Sequence, residues 1–164
     1  MVYYVLIDKN IIKKKRQDII GRQIRLEDNK YRLAREECIS TNMANILVVD
    51  DSLFIRKIVG DMLQEAGHTV IGEATDGNEA MMQYLSLKPD LVIMDITMPY
   101  MTGIEGLKMI KKIDPKAKVI MCSAMGQKSM IIEAIQLGAS DYVIKPIKKN
   151  RLITTINHVL GTDQ

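Results

Sequence analysis

The chain has 164 residues, is 47% hydrophobic and 26% charged, and carries a formal net charge of +3. These values are ordinary for a soluble globular protein, and no apolar run approaches the roughly 18–20 residues that span a bilayer. Residues 1–7 lack the basic leader and cleavage site of a signal peptide, and Cys38 and Cys122 have no metal-ligand spacing, so a reducing cytoplasm is expected.

The first 42 residues differ in charge from the rest of the chain. They contain 10 Lys and Arg against 6 Asp and Glu, whereas residues 43–164 contain 13 against 14. The basic excess is therefore poor support for nucleic-acid binding by residues 43–164, which we take as the globular domain. Met43 lies directly before the first predicted strand, so our hypothesis is that residues 1–42 are a non-native extension. A mobile basic tail, or an anchor to a membrane surface or nucleic acid, is the alternative.

From residue 44 onward, short apolar runs alternate with stretches of helical periodicity. The first strand, Ile46–Val49, is followed by apolar residues at helical spacing from Ile55 to Leu63, and this helix ends near Gly67. The same alternation repeats four times. The later predicted strands, each followed by a helix, are Thr69–Ala74, Leu91–Asp95, Val119–Ser123 and Asp141–Ile144.

This alternation predicts a parallel sheet with helices on both faces. Five strand–helix units are too few for an eight-unit barrel, so an open, doubly wound α/β sheet is expected. Ligands of such sheets bind outside the carboxyl ends of the strands. The polar residues at those ends are Asp50, Asp51, Asp95, Ser123 and Lys145.

Asp50 and Asp51 form an adjacent pair of carboxylates at the end of the first strand. Burying both without a cation is costly, because like charges repel and lose their hydration. Mg²⁺ takes hard oxygen ligands, and no His or Cys cluster suggests a softer metal. Taken alone, the pair would be explained by one Asp that caps the helix starting near Ser52 and another that is solvated. With Asp95 and Lys145 expected at the same edge, a magnesium site is favoured.

Asp95 is the candidate nucleophile. A carboxylate oxygen can attack phosphorus to form an acyl phosphate, and phosphoryl transfer depends mainly on positioning and charge neutralisation. Lys145 would neutralise one phosphoryl oxygen, the Ser123 hydroxyl would donate to another, and the small Ala124 leaves room. Each residue alone has an ordinary structural explanation, but their joint occurrence favours a phosphoacceptor site. Pro146 is a candidate for a cis peptide bond that turns Lys145 towards the site.

Six motifs of the chain match a known family. They are Ile46–Ser52, Met94–Pro99, Met101–Gly103, Cys122–Ala124, Gly138–Ala139 and Asp141–Pro146. Together they resemble bacterial response-regulator receiver domains over residues 44–161, and most closely those of chemotaxis regulators. The resemblance implies a flavodoxin-like five-stranded sheet of order 2-1-3-4-5 with five helices, which is the order known for the family. Thr102 is a departure, since regulators commonly have Asp or Asn before the loop glycine.

The resemblance also implies a role for each residue at the strand ends. Asp95 would accept a phosphoryl group from a histidine kinase. The ligands of Mg²⁺ would be Asp50, Asp51, Asp95 and the backbone carbonyl of Thr97. Contacts to the phosphoryl group would come from Ser123, Ala124 and Lys145.

The output surface implied by the resemblance is the face of the fourth helix, fifth strand and fifth helix. Tyr142 would be an aromatic switch whose rotamer follows Ser123. Residues 130–132 are apolar at three consecutive positions, which is wider than one buried stripe requires. Met130 and Ile132 are therefore candidate partner-facing residues, and loose core packing is the alternative.

The expected function is that of a stand-alone response regulator without an activity beyond its own phosphorylation and dephosphorylation. Its expected partners are a CheA-like histidine kinase and a FliM-like flagellar motor switch protein, with a phosphatase as a further candidate, but neither nucleic acid nor membrane. The sequence ends at Gln164, soon after the fifth predicted helix, which disfavours a transcription factor. A phosphorelay intermediate or another single-domain regulator is the alternative. A haloacid-dehalogenase-type phosphatase is remote, because its second Asp is replaced here by Thr97.

Overall fold

Five strands alternate with five helices in residues 43–162, which are the residues that the computed structural model describes. The hypothesis about residues 1–42 lies outside the described residues. The elements are β1 (Asn45–Val49), α1 (Leu53–Glu65), β2 (Thr69–Ala74), α2 (Gly77–Leu87), β3 (Leu91–Asp95), α3 (Gly103–Ile113), β4 (Val119–Ser123), α4 (Lys128–Gln136), β5 (Asp141–Ile144) and α5 (Lys149–Leu160). None of the described helices is long and apolar enough to cross a bilayer.

All four strand pairings are parallel, and the sheet order is β2-β1-β3-β4-β5. This confirms the predicted fold and strand order. The chain runs from β1 to one side for β2 and then crosses to the other side for β3, so the order reverses between β1 and β3. Asp50 directly follows β1 and Asp95 ends β3, which places both carboxylates at the switch point where ligands of such sheets bind.

The core lies on both faces of the sheet, and the side chains of β1 show how. Leu47 and Val49 pack with the buried residues of α2, α3 and α4, whereas Ile46 and Val48 pack with those of α1 and α5. β3 alternates in the same way and is buried at all five positions. A strand that is covered on both faces needs apolar residues at successive positions, which explains its continuous apolar sequence.

Several helices begin with a side-chain cap just after a strand or loop. Ser52 caps α1 by accepting a hydrogen bond from the amide of Ile55. Thr102 caps α3 in a reciprocal box with Glu105, so the departure from the family's Asp or Asn keeps a good capping residue. The next residue, Gly103, lies so close to the end of β3 that a Cβ atom there would clash with the backbone oxygen of Asp95. The cap and the glycine together fix the loop that follows Asp95.

Candidate functional site

Lys145 joins two buried carboxylates at the carboxyl edge of the sheet. Its Nζ lies 2.7 Å from Oδ2 of Asp50 and 2.8 Å from Oδ1 of Asp95. Only 3% of Asp50 and 5% of Asp95 is exposed. Lys145 reaches them from the end of β5, where its amide donates to the carbonyl of Ser123 and the bond to Pro146 is cis. The structure thus brings together three of the residues that the sequence predicts for the site.

The charges of this cluster do not balance, because one ammonium faces two carboxylates. Burial raises the pKa of Asp95; the bond to Lys145 opposes this rise, and the charge of Asp50 adds to it. Burial alone would lower the pKa of Lys145, but its hydrogen bonds to Asp50 and Asp95 outweigh that effect and leave the pKa raised. The excess negative charge favours a further cation at the site.

Backbone amides fix the orientation of both carboxylates. The amide of Ser52 donates to Oδ1 of Asp50 at 2.9 Å, and the amide of Thr97 donates to Oδ2 of Asp95 at 3.1 Å. Arg56, which the sequence analysis did not identify, donates from Nη1 to the carbonyl of Asp50 at 2.8 Å. Its Nε also forms an ion pair with Glu73 at 2.7 Å. The end of β1 is therefore held from the side of α1 as well.

The oxygen donors of the cluster fit Mg²⁺. Within residues 43–162, no three His, Cys, Asp or Glu side chains are close enough to form a complete metal cage. Mg²⁺ does not need one, since it usually binds through one or two carboxylates and completes its shell with waters and phosphate oxygens. Asp50 and Asp95 would supply the carboxylates. Asp51 is exposed beside them, and its role, like that of the Thr97 carbonyl, stays a prediction.

Ser123 and Ala124 lie at the end of β4, and both contact a side chain that the sequence analysis missed. The Ser123 side chain is completely buried, and its Oγ lies 3.0 Å from Oε1 of Gln127. The amide of Ala124 donates to the same Oε1 at 2.9 Å, and Nε2 of Gln127 donates to Oγ1 of Thr97 at 2.8 Å. The one available sequence signal was that α4 starts without a Ser, Thr, Asp or Asn at its first position.

Cys122, the neighbour of Ser123, does not compete as a nucleophile. It is buried, and burial raises the pKa of its thiol to about 12. A thiol with so high a pKa contains very little of the reactive thiolate at neutral pH. Asp95 therefore stays the predicted nucleophile at this edge of the sheet.

The predicted output residues occupy different environments. Ile132 is 58% exposed, whereas Met130 and Tyr142 are half-buried and pack against the core on the side of α2, α3 and α4. A groove beside β5 is lined by Met125, Tyr142, Ile144, Lys145, Pro146, Lys148 and Arg151. Tyr142 thus lines the same groove as Lys145, and the partner-facing role of Met130 and Ile132 stays a prediction.

Known proteins resemble this chain over the whole of the sheet. Residues 46–157 match the family model described as the response regulator receiver domain. Chemotaxis protein CheY of Thermotoga maritima is 53% identical over 114 residues, which cover 70% of this chain and 95% of that protein. Chemotaxis protein CheY of Bacillus subtilis is 51% identical over 116 residues, which cover 71% of this chain and 97% of that protein. The crystal structure of a CheX-CheY-BeF3-Mg+2 complex from Borrelia burgdorferi aligns with a TM-score of 0.68 at 35% identity, covering 70% of this chain and 87% of that one.

Proposed function

Because the chain belongs to the response regulator receiver family, we propose that Asp95 accepts a phosphoryl group from a histidine kinase and thereby carries a chemotaxis signal. The observation that carries this proposal is the contact of Lys145 with both Asp50 and Asp95. This cluster combines a carboxylate that can act as a nucleophile, an ammonium that can neutralise a phosphoryl oxygen, and a second carboxylate that can help to bind a cation.

The reaction is an in-line displacement. A carboxylate oxygen of Asp95 attacks phosphorus, the bond between phosphorus and the nitrogen of the donor histidine breaks, and its electrons return to the imidazole. Lys145 stabilises the charge on one phosphoryl oxygen, and Ser123 and the amide of Ala124 are placed to donate to another. When bound by Asp50, Asp51 and Asp95, Mg²⁺ would neutralise the remaining charge.

The relatives support the chemotaxis assignment, since two of them are CheY proteins that match this chain over nearly their full length. We propose a flagellar motor switch protein as the target, bound at the face of α4, β5 and α5. The complex from Borrelia burgdorferi contains CheX with CheY, which supports a CheX-like protein as a further partner. A phosphorelay intermediate would accept the phosphoryl group in the same way and differ in where the group goes next.

The proposal is tested by labelling with a small phosphodonor such as acetyl phosphate in the presence of Mg²⁺. The wild type and the control Asp61→Asn, which changes an exposed aspartate of α1, should gain a phosphoryl group in intact-mass spectra. Asp95→Asn should stay at background, because an amide is not a nucleophile towards phosphorus. Labelling of Asp95→Asn at the wild-type level would place the acceptor elsewhere.

The role of Mg²⁺ is tested in excess chelator. Labelling should stop while the far-ultraviolet circular dichroism and the urea midpoint show a folded domain, because the ion contributes to charge neutralisation and not to the core. Labelling that continues in chelator would refute the metal role.

The target is tested with a peptide from a flagellar motor switch protein. Its affinity should rise when Asp95 is phosphorylated, because the phosphoryl group shifts the equilibrium of the output face. An affinity that does not change on phosphorylation would favour the phosphorelay alternative.

A further inference from the structure

The side chain of Gln127 connects the ends of β3 and β4. Its Oε1 accepts a hydrogen bond from the Ala124 amide at 2.9 Å and is an acceptor for the Ser123 hydroxyl at 3.0 Å, where the carbonyl of Ala124 is a second acceptor at 3.1 Å. Its Nε2 donates to the hydroxyl of Thr97 at 2.8 Å. Thr97 in turn holds Asp95 through its backbone amide. One neutral carboxamide thus contacts residues on both sides of the phosphoacceptor.

These bonds are unusual for a residue at the start of a helix. Gln127 lies directly before α4, in the N-cap position, and its side chain makes no hydrogen bond to the free amides at the start of the helix. Side chains at this position normally cap their own helix. The carboxamide of Gln127 is directed to the strand ends instead, so the side chain contributes to the site and not to the start of α4.

The two donors that Oε1 engages are the donors that a phosphoryl oxygen on Asp95 would need. A serine hydroxyl has one hydrogen, and a backbone amide has one. The one hydroxyl hydrogen of Ser123 can go to Gln127, to the carbonyl of Ala124 or to a ligand, but only to one of them at a time. The carboxamide oxygen of Gln127 and a phosphoryl oxygen therefore compete for the same two hydrogens.

We propose that Gln127 is a placeholder for the phosphoryl group. In the unphosphorylated protein its carboxamide oxygen accepts hydrogen bonds from the donors of Ser123 and Ala124. These hydrogen bonds must break when Asp95 is phosphorylated. Departure also breaks the bond to Thr97, so the start of α4 loses its side-chain hydrogen bonds to the ends of β3 and β4. This inference rests on the proposed phosphorylation of Asp95 and adds a residue that sets how readily the site accepts the group.

The placeholder also links the site to the proposed output face. Residues 124–126 are exposed, and Gly126 has a positive φ of 92° with no atom within 4 Å of a built Cβ. Few packing contacts therefore oppose movement of this segment once the carboxamide is released. Because α4 begins directly after Gln127, the release changes the restraint on the helix that carries Met130 and Ile132.

The test measures the dissociation constant of beryllofluoride, a phosphoryl analogue, in the full chain with Mg²⁺. Gln127→Ala removes the competitor and should tighten binding about fivefold, which corresponds to about one hydrogen bond. Gln127→Glu keeps an acceptor, adds a negative charge and should weaken binding about fivefold or more. Gln136→Ala, an exposed glutamine on the last turn of α4, should bind as the wild type does.

Opposite signs for the two variants distinguish competition from a structural role. If Gln127 only supported the loop, both substitutions would weaken binding, and that result, or an unchanged affinity of Gln127→Ala, would overturn the inference. The Ala124 amide gives a second measure: its hydrogen exchange should accelerate in Gln127→Ala, since Oε1 is its acceptor.

The outcome also separates this inference from the proposed function. Binding by the wild type and not by Asp95→Asn supports the phosphoacceptor, whatever the Gln127 variants do. If the wild type binds no beryllofluoride, the phosphoacceptor proposal fails and the placeholder fails with it.

Discussion

Two neighbouring parts of the sheet edge are built differently. The acidic cluster, Asp50, Asp95 and Lys145, is buried and held by an ion pair on each side of the lysine and by backbone amides. The β4–α4 connection, residues 124–127, is exposed at three positions and attached through the carboxamide of Gln127. The first part has one arrangement fixed by its charges, and the second is attached by bonds that another acceptor can replace.

The energies of ion pairs and neutral hydrogen bonds explain why one part of the edge is fixed and the other can change. Breaking a buried ion pair by removing one partner costs about 3–5 kcal/mol, because a charge is left without compensation. A neutral hydrogen bond contributes only about 0.5–1.5 kcal/mol net. The carboxylates of the acidic cluster are therefore held in one arrangement. Under the proposed function, the hydrogen bonds that a phosphoryl group gains would be enough to offset those that the connection to α4 loses.

The largest expected effect comes from removing the cation of the acidic cluster. Lys145→Met leaves two buried carboxylates facing each other, and we expect a loss of about 3 kcal/mol in the free energy of unfolding together with loss of labelling. Urea unfolding in chelator measures it. Lys149→Met is the control, because its exposed pair with Glu65 should contribute less than about 1 kcal/mol. Equal losses for both variants would show that the cluster is not held by its charges.

The next largest difference in the free energy of unfolding is expected between alanine substitutions of Gly103 and Gly126. Gly103→Ala places a Cβ in steric conflict with the backbone oxygen of Asp95, so the strand end must shift, and we expect a loss of about 2–3 kcal/mol in the free energy of unfolding. Gly126→Ala meets no atom within 4 Å but strains a φ of +92°, which should cost only about 1–2 kcal/mol. Thermal and urea unfolding of the two variants compare the acidic cluster with the β4–α4 connection directly. A larger loss for Gly126→Ala would reverse the comparison.

The smallest effect is expected far from both parts, at His68. It is buried before β2 with no partner for Nδ1 among the described residues, and burial lowers its pKa. The unfolded chain therefore binds a proton first, so stability should be full above about pH 6.5 and fall as the pH drops below it. His68→Gln should flatten the change in unfolding free energy between pH 7.5 and 5.5. Identical slopes would assign the acid sensitivity to other groups.

The sequence was sufficient for the fold and for the acidic cluster. Apolar runs such as Leu91–Asp95 identify buried strands, and parallel strands bring their carboxyl ends to one edge, so Asp50, Asp95 and Lys145 were expected to meet. The topology brings these residues to the same edge. The cap of the first helix was not identified, because the alternative considered for Asp50 and Asp51 was that one of them caps it, whereas Ser52 accepts the hydrogen bond from the amide of Ile55.

Gln127 and Arg56 could not be predicted in this way. The bond of Gln127 to Thr97 joins residues 30 positions apart, and it requires a particular path of the β4–α4 connection that no local pattern encodes. Arg56 lies on an amphipathic helix, where an arginine is ordinarily solvated, and its bond to the Asp50 carbonyl depends on the distance between α1 and β1. The sequence did not decide the role of Met130, because an apolar residue fits both the core and a partner surface.

The ion pair between Lys145 and Asp50 joins residues 95 positions apart. In a chain that lacks β5, Asp50 and Asp95 would face each other at the edge of the sheet without the ammonium of Lys145, and that edge would carry uncompensated negative charge. Under the proposed function, such a chain would also lack the cation that attracts a phosphoryl donor. We therefore expect competence for phosphorylation to be acquired only when the last strand joins the sheet.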